Sequence, residues 1–174
     1  CLASVCGNSI IWKPSPHTKE CADSIKKIWD KVAVDHTDLI LILHGGNEEA
    51  AALCKDPNIP LISATGSTQM GKELAPLVSQ RLGRTLLELG GNNAAIICQT
   101  ADLDLTVKGV TFSAAGTTGQ RCTTLRRAFV QENIYEEFMK KLFAYYATLK
   151  IGDPSDKSSQ LGPLISKKSF DDMQ

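Results

Sequence analysis

The period of the apolar positions changes several times along the chain, and each change predicts an element. Gly7 to Trp12 reads as a short strand carrying Ile10, Ile11 and Trp12, closed by Lys13-Pro14-Ser15-Pro16, whose prolines forbid a continued ladder. From about His17 or Thr18, Ile25, Ile28, Trp29 and Val32 recur at the spacing of one helix face. Leu39 to Leu43 is an unbroken apolar run, which predicts a strand covered on both faces. Gly45-Gly46-Asn47 then turns the chain into an alanine-rich helix through about Lys55, ended by Asp56-Pro57. Pro60 to Ala64 supplies a third strand that runs directly into Thr65-Gly66-Ser67-Thr68. Met70, Leu74, Leu77, Val78 and Leu82 mark a helix ending near Gly83, and Leu86 to Leu89 opens another strand. Strands alternating with helices in this way predict a parallel, doubly wound α/β sheet.

A second unit begins at Asn93. Ala94 to Cys98 is strand-like, and Asp102 to Ala115 is a helix with Leu103, Val107, Val110 and Ala114 inward. A cysteine-bearing loop follows, then a strand from Arg127 to Gln131. Ile134 to Leu149 is amphipathic, with Ile134, Phe138, Leu142, Tyr145 and Leu149 on one stripe, and Gly152-Asp153-Pro154 stops it. Ser155 to Gln160 reads as loop, and Gly162-Pro163 as a further turn.

At 174 residues the chain has room for one domain with a real core or for two small lobes. Nineteen basic residues balance nineteen acidic ones without a block of like charge, which argues against a nucleic-acid surface or a polybasic membrane anchor. No apolar run approaches the roughly 18 residues of a spanning helix. The opening Cys1-Leu2-Ala3-Ser4 carries no charged leader, so no targeting peptide is expected. The six cysteines, at 1, 6, 21, 54, 98 and 122, form no C-x-x-C pair and no metal-ligand spacing with the three histidines. Scattered reduced thiols of an intracellular protein are the expectation, with no metal site.

The candidate chemistry centres on Gly119-Gln120-Arg121-Cys122-Thr123-Thr124. A cysteine among small and polar residues, after glycines at 116 and 119, is an unusual setting for core filler and suits a nucleophile, although for a lone cysteine the structural reading is the commoner one. Burial as a small hydrophobe is the competing reading. Upstream, Leu86-Leu87-Glu88-Leu89-Gly90-Gly91-Asn92-Asn93 sets a carboxylate inside an apolar run. Such a glutamate either faces solvent or is buried with a raised pKa, which suits a general base. Thr65-Gly66-Ser67-Thr68, where strand passes to helix, suits an anion such as a pyrophosphate, although Ser67 or Thr68 could simply cap its helix. Lys13 follows a strand end, where doubly wound folds gather ligands, or is merely solvated.

Together, Leu-Glu-Leu-Gly-Gly-Asn-Asn and Gly-Gln-Arg-Cys-Thr-Thr resemble the glutamate and cysteine motifs of the aldehyde dehydrogenase superfamily. The doubled asparagine and the arginine before the cysteine most resemble its antiquitin branch. The resemblance implies that 1–91 is part of an NAD-binding domain and 92–174 part of a catalytic domain. It makes Cys122 the nucleophile, attacking an aldehyde, in particular a semialdehyde such as α-aminoadipic semialdehyde, to give a thiohemiacetal and then a thioester. Glu88 would activate the hydrolytic water. The Cys122 N–H would form part of an oxyanion hole, and the two lobes would open onto one cleft. Gly66 and Ser67 would contact the dinucleotide phosphates, Lys13 the adenosine ribose, and Leu89 and Gly90 the nicotinamide end. Arg121 would hold the amino-acid head of the substrate, its alternative being a surface or loop-fixing arginine; Thr123 would line the same pocket.

NAD is the implied cofactor, with NADP left open, because Pro16 stands where many relatives carry a ribose-binding glutamate. Ala64 and Ala50 replace an aromatic residue and a glycine usual in the family, and the connection at Asp35-His36 is shorter and more polar. The oxyanion-hole asparagine of these longer enzymes would precede Cys1. The second cofactor-binding glutamate and the oligomer-forming strand would follow Gln174. Full-length relatives imply homo-oligomers in the cytosol or mitochondrial matrix. The isolated chain is therefore expected to be feeble or inactive, with an exposed sheet edge. Rival readings are a non-catalytic dinucleotide-binding or interaction module, an acylating or glutamyl-phosphate-type reductase, and a cysteine hydrolase. The last needs a histidine near Cys122, whereas His17, His36 and His44 all fall in the first lobe.

Overall fold

The computed structural model describes residues 2–174 and divides into two compact units, one ending at Glu88 and one spanning Leu89–Gln174. Cys1, one of the six thiols, lies outside the described residues. The first unit runs α1 (Leu2–Val5), β1 (Ile10–Trp12), α2 (Lys19–Val32), β2 (Ile40–Ile42), α3 (Asn47–Lys55), β3 (Leu61–Thr65), α4 (Thr68–Ser79) and β4 (Arg84–Glu88). The second runs β5 (Asn93–Ile97), α5 (Leu103–Ala115), β6 (Leu125–Val130), α6 (Tyr135–Tyr146) and α7 (Lys167–Met173). The architecture is α/β, and every strand pair is parallel, as strands joined through helical crossovers must be.

Hydrogen bonding groups the strands into three parallel pairs. β1 lies beside β2 with Ile10 opposite Ile40 and Trp12 opposite Ile42. β3 lies beside β4 from Leu61 opposite Arg84 to Thr65 opposite Glu88. The apolar run at Leu39–Leu43 predicts double coverage, and here the structure corrects it. Ile40 and Ile42 are half-buried, but Leu41 and its register partner Ile11 are exposed. α2 packs on β2, and the other face of this short ladder stays open.

Leu82 is a second correction. It does not continue the apolar stripe of α4 but lies past the last turn, at φ 59° and 94% exposed. The Leu82 N–H donates to the Ser79 carbonyl and the Gly83 N–H to the Val78 carbonyl, both at 3.0 Å. This is a Schellman stop, whose left-handed position usually belongs to glycine. A leucine there carries backbone strain and buries nothing. Leu82→Gly is therefore expected to stabilise the first unit by about 0.5–1 kcal/mol, read as a rise in the urea midpoint. An unchanged or lower midpoint would refute that account.

In the second unit, β5 and β6 pair from Asn93 opposite Leu125 to Ile97 opposite Val130, with a bulge that slips the register between Asn93 and Ala94. α5 starts on Asp102, whose carboxylate accepts from the N–H groups of Asp104 (3.0 Å) and Leu105 (3.1 Å). Ile97, Val107, Val110 and Phe138 form the buried core, with Leu103, Leu125, Val130, Ile134, Leu142 and Tyr145 packed around it. The stripe predicted from Ile134 to Leu149 thus meets α5 and the sheet, although the regular helix is shorter at both ends. α7 is not foreseen by the sequence reading; its start is capped by Ser166, whose hydroxyl accepts from the Ser169 N–H. On the opposite face of the sheet, the register partners Ile96 and Phe129 are exposed.

Candidate functional site

In the first unit the candidate residues gather at the carboxyl ends of the strands. β3 passes to α4 through Gly66, whose N–H donates to the Glu88 carbonyl at 3.0 Å. The turn therefore rests on the end of β4. Ser67 is extended and caps α4, its hydroxyl accepting from the Met70 N–H at 3.1 Å. The Thr68 and Gln69 N–H groups, at the first turn, have no intrahelical acceptor. No acidic side chain occupies that turn. A Cβ at position 66 would come within 2.6 Å of the Met70 sulfur, the flexible end of a side chain. With its free N–H groups and positive dipole end, this turn fits a dinucleotide phosphate.

The neighbouring helix start behaves differently. The Gly46 N–H donates to the Glu49 carboxylate at 2.6 Å, so α3 fills its own N-terminus with an anion. Hydrogen bonds from the Glu49 and Gly46 N–H groups, with a smaller contribution from the Lys13 charge, hold the Glu49 carboxyl below its ordinary range. Lys13, at the end of β1, donates to the Gly45 carbonyl at 3.0 Å and to the Pro14 carbonyl at 3.3 Å. Two of its three donors are thus taken up by the backbone, and it ties β1 to the loop leading into α3. Of the two helix N-termini that follow β2 and β3, α4 presents the open one.

Glu88 itself is exposed, so its side chain realises the solvent-facing alternative rather than the buried one. Cys54 is the contrast among the thiols. It is 2% exposed, and burial pushes its thiol up against a smaller opposing effect of Arg81. A raised, enclosed thiol is a packing residue.

In the second unit the cysteine loop follows α5. Thr117, Thr118 and Gly119 adopt φ of 53°, 57° and 70° in succession, so two β-branched residues share a left-handed bend that suits glycine alone. Bonds on several sides hold it. The Thr118 hydroxyl donates to the Gly162 carbonyl at 2.9 Å, and the Gln120 side-chain oxygen accepts from the Ile165 N–H at 2.9 Å. Thr124 is buried, and its hydroxyl accepts from the Arg121 N–H at 3.1 Å. Asn93, on β5, donates from its amide to the carbonyls of Cys122 at 2.7 Å and Thr124 at 3.0 Å. Gly91 passes so close that a Cβ there would lie 3.1 Å from the Cys122 carbonyl oxygen. A side chain there would require the loop or the Asn93 amide to shift by a few tenths of an ångström.

Cys122 and Thr123 are exposed at the tip of this loop. The Arg121 guanidinium lies 5.9 Å from the centre of the Phe112 ring on α5 and remains exposed to solvent. Leu89 is half-buried and Gly90 exposed on the approach to Gly91. A recess of about 450 Å³ between α5 and α6, lined by Asp104, Lys108, Lys141 and Tyr145 among others, includes none of these residues. Among the described residues no three His, Cys, Asp or Glu side chains gather as a metal site, and no helix is long and apolar enough to cross a membrane.

Sequence reasoning missed Asn93, Thr124, Gln120 and Glu49 as contributors. The doubled asparagine at 92–93 was the available signal for the first; the others depend on contacts that no local pattern encodes.

The aldehyde dehydrogenase family profile matches residues 1–174. The chain is 43% identical over 171 residues to an alpha-aminoadipic semialdehyde dehydrogenase of Bos taurus, covering 97% of this chain and 32% of that protein. It is 42% identical over 177 residues to aldehyde dehydrogenase family 7 member A1 of Brassica napus, covering 98% and 36%. Among solved structures, a 3,6-anhydro-L-galactose dehydrogenase superposes with a TM-score of 0.93 at 28% identity, over 98% of this chain and 36% of the other. A lactaldehyde dehydrogenase from Escherichia coli gives 0.89 at 30% identity, over 95% and 35%. The chain thus spans about a third of the length of the relatives it matches. By profile, sequence and fold alike, it belongs to the aldehyde dehydrogenase family.

Proposed function

We propose that this chain is the central portion of an NAD-dependent aldehyde dehydrogenase that oxidises a semialdehyde of the α-aminoadipic type to its carboxylate. The observation that carries the reading is the cysteine loop: a solvent-exposed thiol at the tip of a segment whose backbone is bonded on both sides of it. The Cys122 sulfur attacks the aldehyde carbon, an S–C bond forms, and the carbonyl oxygen takes up the charge near the Cys122 N–H. Gly66, Ser67 and Lys13 would hold the phosphates and ribose of a nicotinamide dinucleotide, and Leu89 and Gly90 would contact its nicotinamide end; the cofactor would supply the hydride acceptor. Glu88 would serve as the base for the hydrolytic water. Arg121 pairs with the carboxylate of the substrate's amino-acid head, swinging away from Phe112, and Thr123 lines the same pocket.

A second reading, a dinucleotide-binding or interaction module without turnover, draws on the open N-terminus of α4 alone. Alkylation separates the two. With iodoacetamide, Cys122 is expected to react well ahead of buried Cys54, and NAD together with a semialdehyde is expected to protect Cys122 selectively. Protection by NAD alone, with no added effect of aldehyde, would favour the module. Labelling of Cys122 indifferent to both ligands would remove the dehydrogenase reading.

A further inference from the structure

We infer that Asn93 is a positioning residue for Cys122, holding the peptide that bears the thiol in the orientation an aldehyde adduct requires. The inference rests on the proposed nucleophilic role of Cys122. Both N–H bonds of one side-chain amide are spent on the loop, one on the carbonyl of Cys122 itself (2.7 Å) and one on that of Thr124 (3.0 Å). Asn93 begins β5, opposite Leu125 in β6, so the amide is anchored in the sheet that carries the core. The loop it grips needs an external hold. It enters through two threonines and a glycine at positive φ, a bend that a free peptide leaves readily.

Fixing the Cys122 carbonyl also sets what lies next to the sulfur. With that carbonyl turned onto Asn93, it is kept from rotating towards the thiol, where its partial negative charge would oppose a thiolate or an oxyanion. Addition of an aldehyde forms the S–C bond and moves the thiol proton to the former carbonyl oxygen, with no oxidant involved. That step needs the peptide orientation, because the developing oxygen charge looks for a backbone donor. Alkylation by iodoacetamide displaces iodide and needs only an accessible thiol. The two reagents therefore split a positioning role from a merely structural one.

The test uses the full chain and its Asn93→Ala, Asn93→Asp and Asn93→Gln variants. Hydrogen exchange across residues 119–125 is followed with alkylation of Cys122 in the presence and absence of propanal, exposed Cys98 serving as internal reference. In the Ala and Asp variants, exchange in the loop is expected to rise about tenfold while α5 and α6 are unchanged, the size expected for one or two lost hydrogen bonds. Protection by propanal is expected to weaken about fivefold or more. Alkylation without aldehyde should change less than about threefold in Asn93→Ala, since the thiol is already exposed. Asn93→Gln, which keeps the donors, should recover part of the protection. Unchanged loop exchange and unchanged protection would overturn the inference, as would a rise in exchange spread equally over α5 and α6. If propanal fails to protect Cys122 in the parent chain, the nucleophile reading falls, and loop exchange still decides whether Asn93 holds the segment.

Discussion

Under the proposed dehydrogenase reading, Cys122→Ser is expected to bring NADH production with a semialdehyde, feeble as that is expected to be in the isolated chain, down to background. An alcohol in place of a thiol is a far weaker nucleophile at neutral pH, and the second unit has no histidine to activate it: His17, His36 and His44 all precede Glu88. The variant should leave the fold alone, because Cys122 is exposed and its loop is bonded through backbone carbonyls rather than through the sulfur. Far-UV circular dichroism and the urea midpoint should match the parent. The measurement is NADH formation by the full chain and its variant at equal concentration. Equal rates above background in the two would end the dehydrogenase reading for this chain, and a loss accompanied by unfolding would show that the thiol is structural.

Phe138→Ala carries the largest effect on stability. Phe138 is 1% exposed and sits in the cluster of Ile97, Val107 and Val110 that joins α5, α6 and the sheet. Truncating it leaves a cavity that rigid neighbours on two helices and a strand cannot fill, at a cost of about 3–5 kcal/mol. That is comparable with the whole stability of many small domains, so the second unit should be largely unfolded at 37 °C. Phe143, one and a half turns along α6, is the matched control: at 66% exposure, Phe143→Ala should stay within about 0.5 kcal/mol of the parent. Hydrogen exchange in α5 and β5 reads the difference. Equal losses from the two substitutions would mean that the contact cluster does not describe the core.

How far the sequence carries the fold can be judged from particular elements. The stripe at Phe138, Leu142 and Tyr145 was legible because an amphipathic helix writes its buried face at a fixed spacing. The passage from β3 through Gly66 to α4 was legible for a similar reason, since strand end, small residues and cap lie within a few positions. Leu41 and Leu82 misled. An apolar run cannot state whether a second layer covers it, and a leucine on helical spacing cannot announce that the helix has already closed behind it. At Glu88 the run around it fixed a strand and left both sides as alternatives, of which the exposed carboxylate is one.

By itself, the sequence determined the alternation of strands and helices, the family, and the two motifs that nominate Glu88 and Cys122, all of which are written in short-range spacing and in residues whose chemistry is their own. Only the tertiary structure decided which thiol is enclosed and which is open, that α3 caps itself with Glu49 while α4 keeps free N–H groups, and that Asn93 grips the cysteine loop from β5. These are distances between residues up to dozens of positions apart, set by how strands pair and helices pack. No local pattern of side chains carries that information.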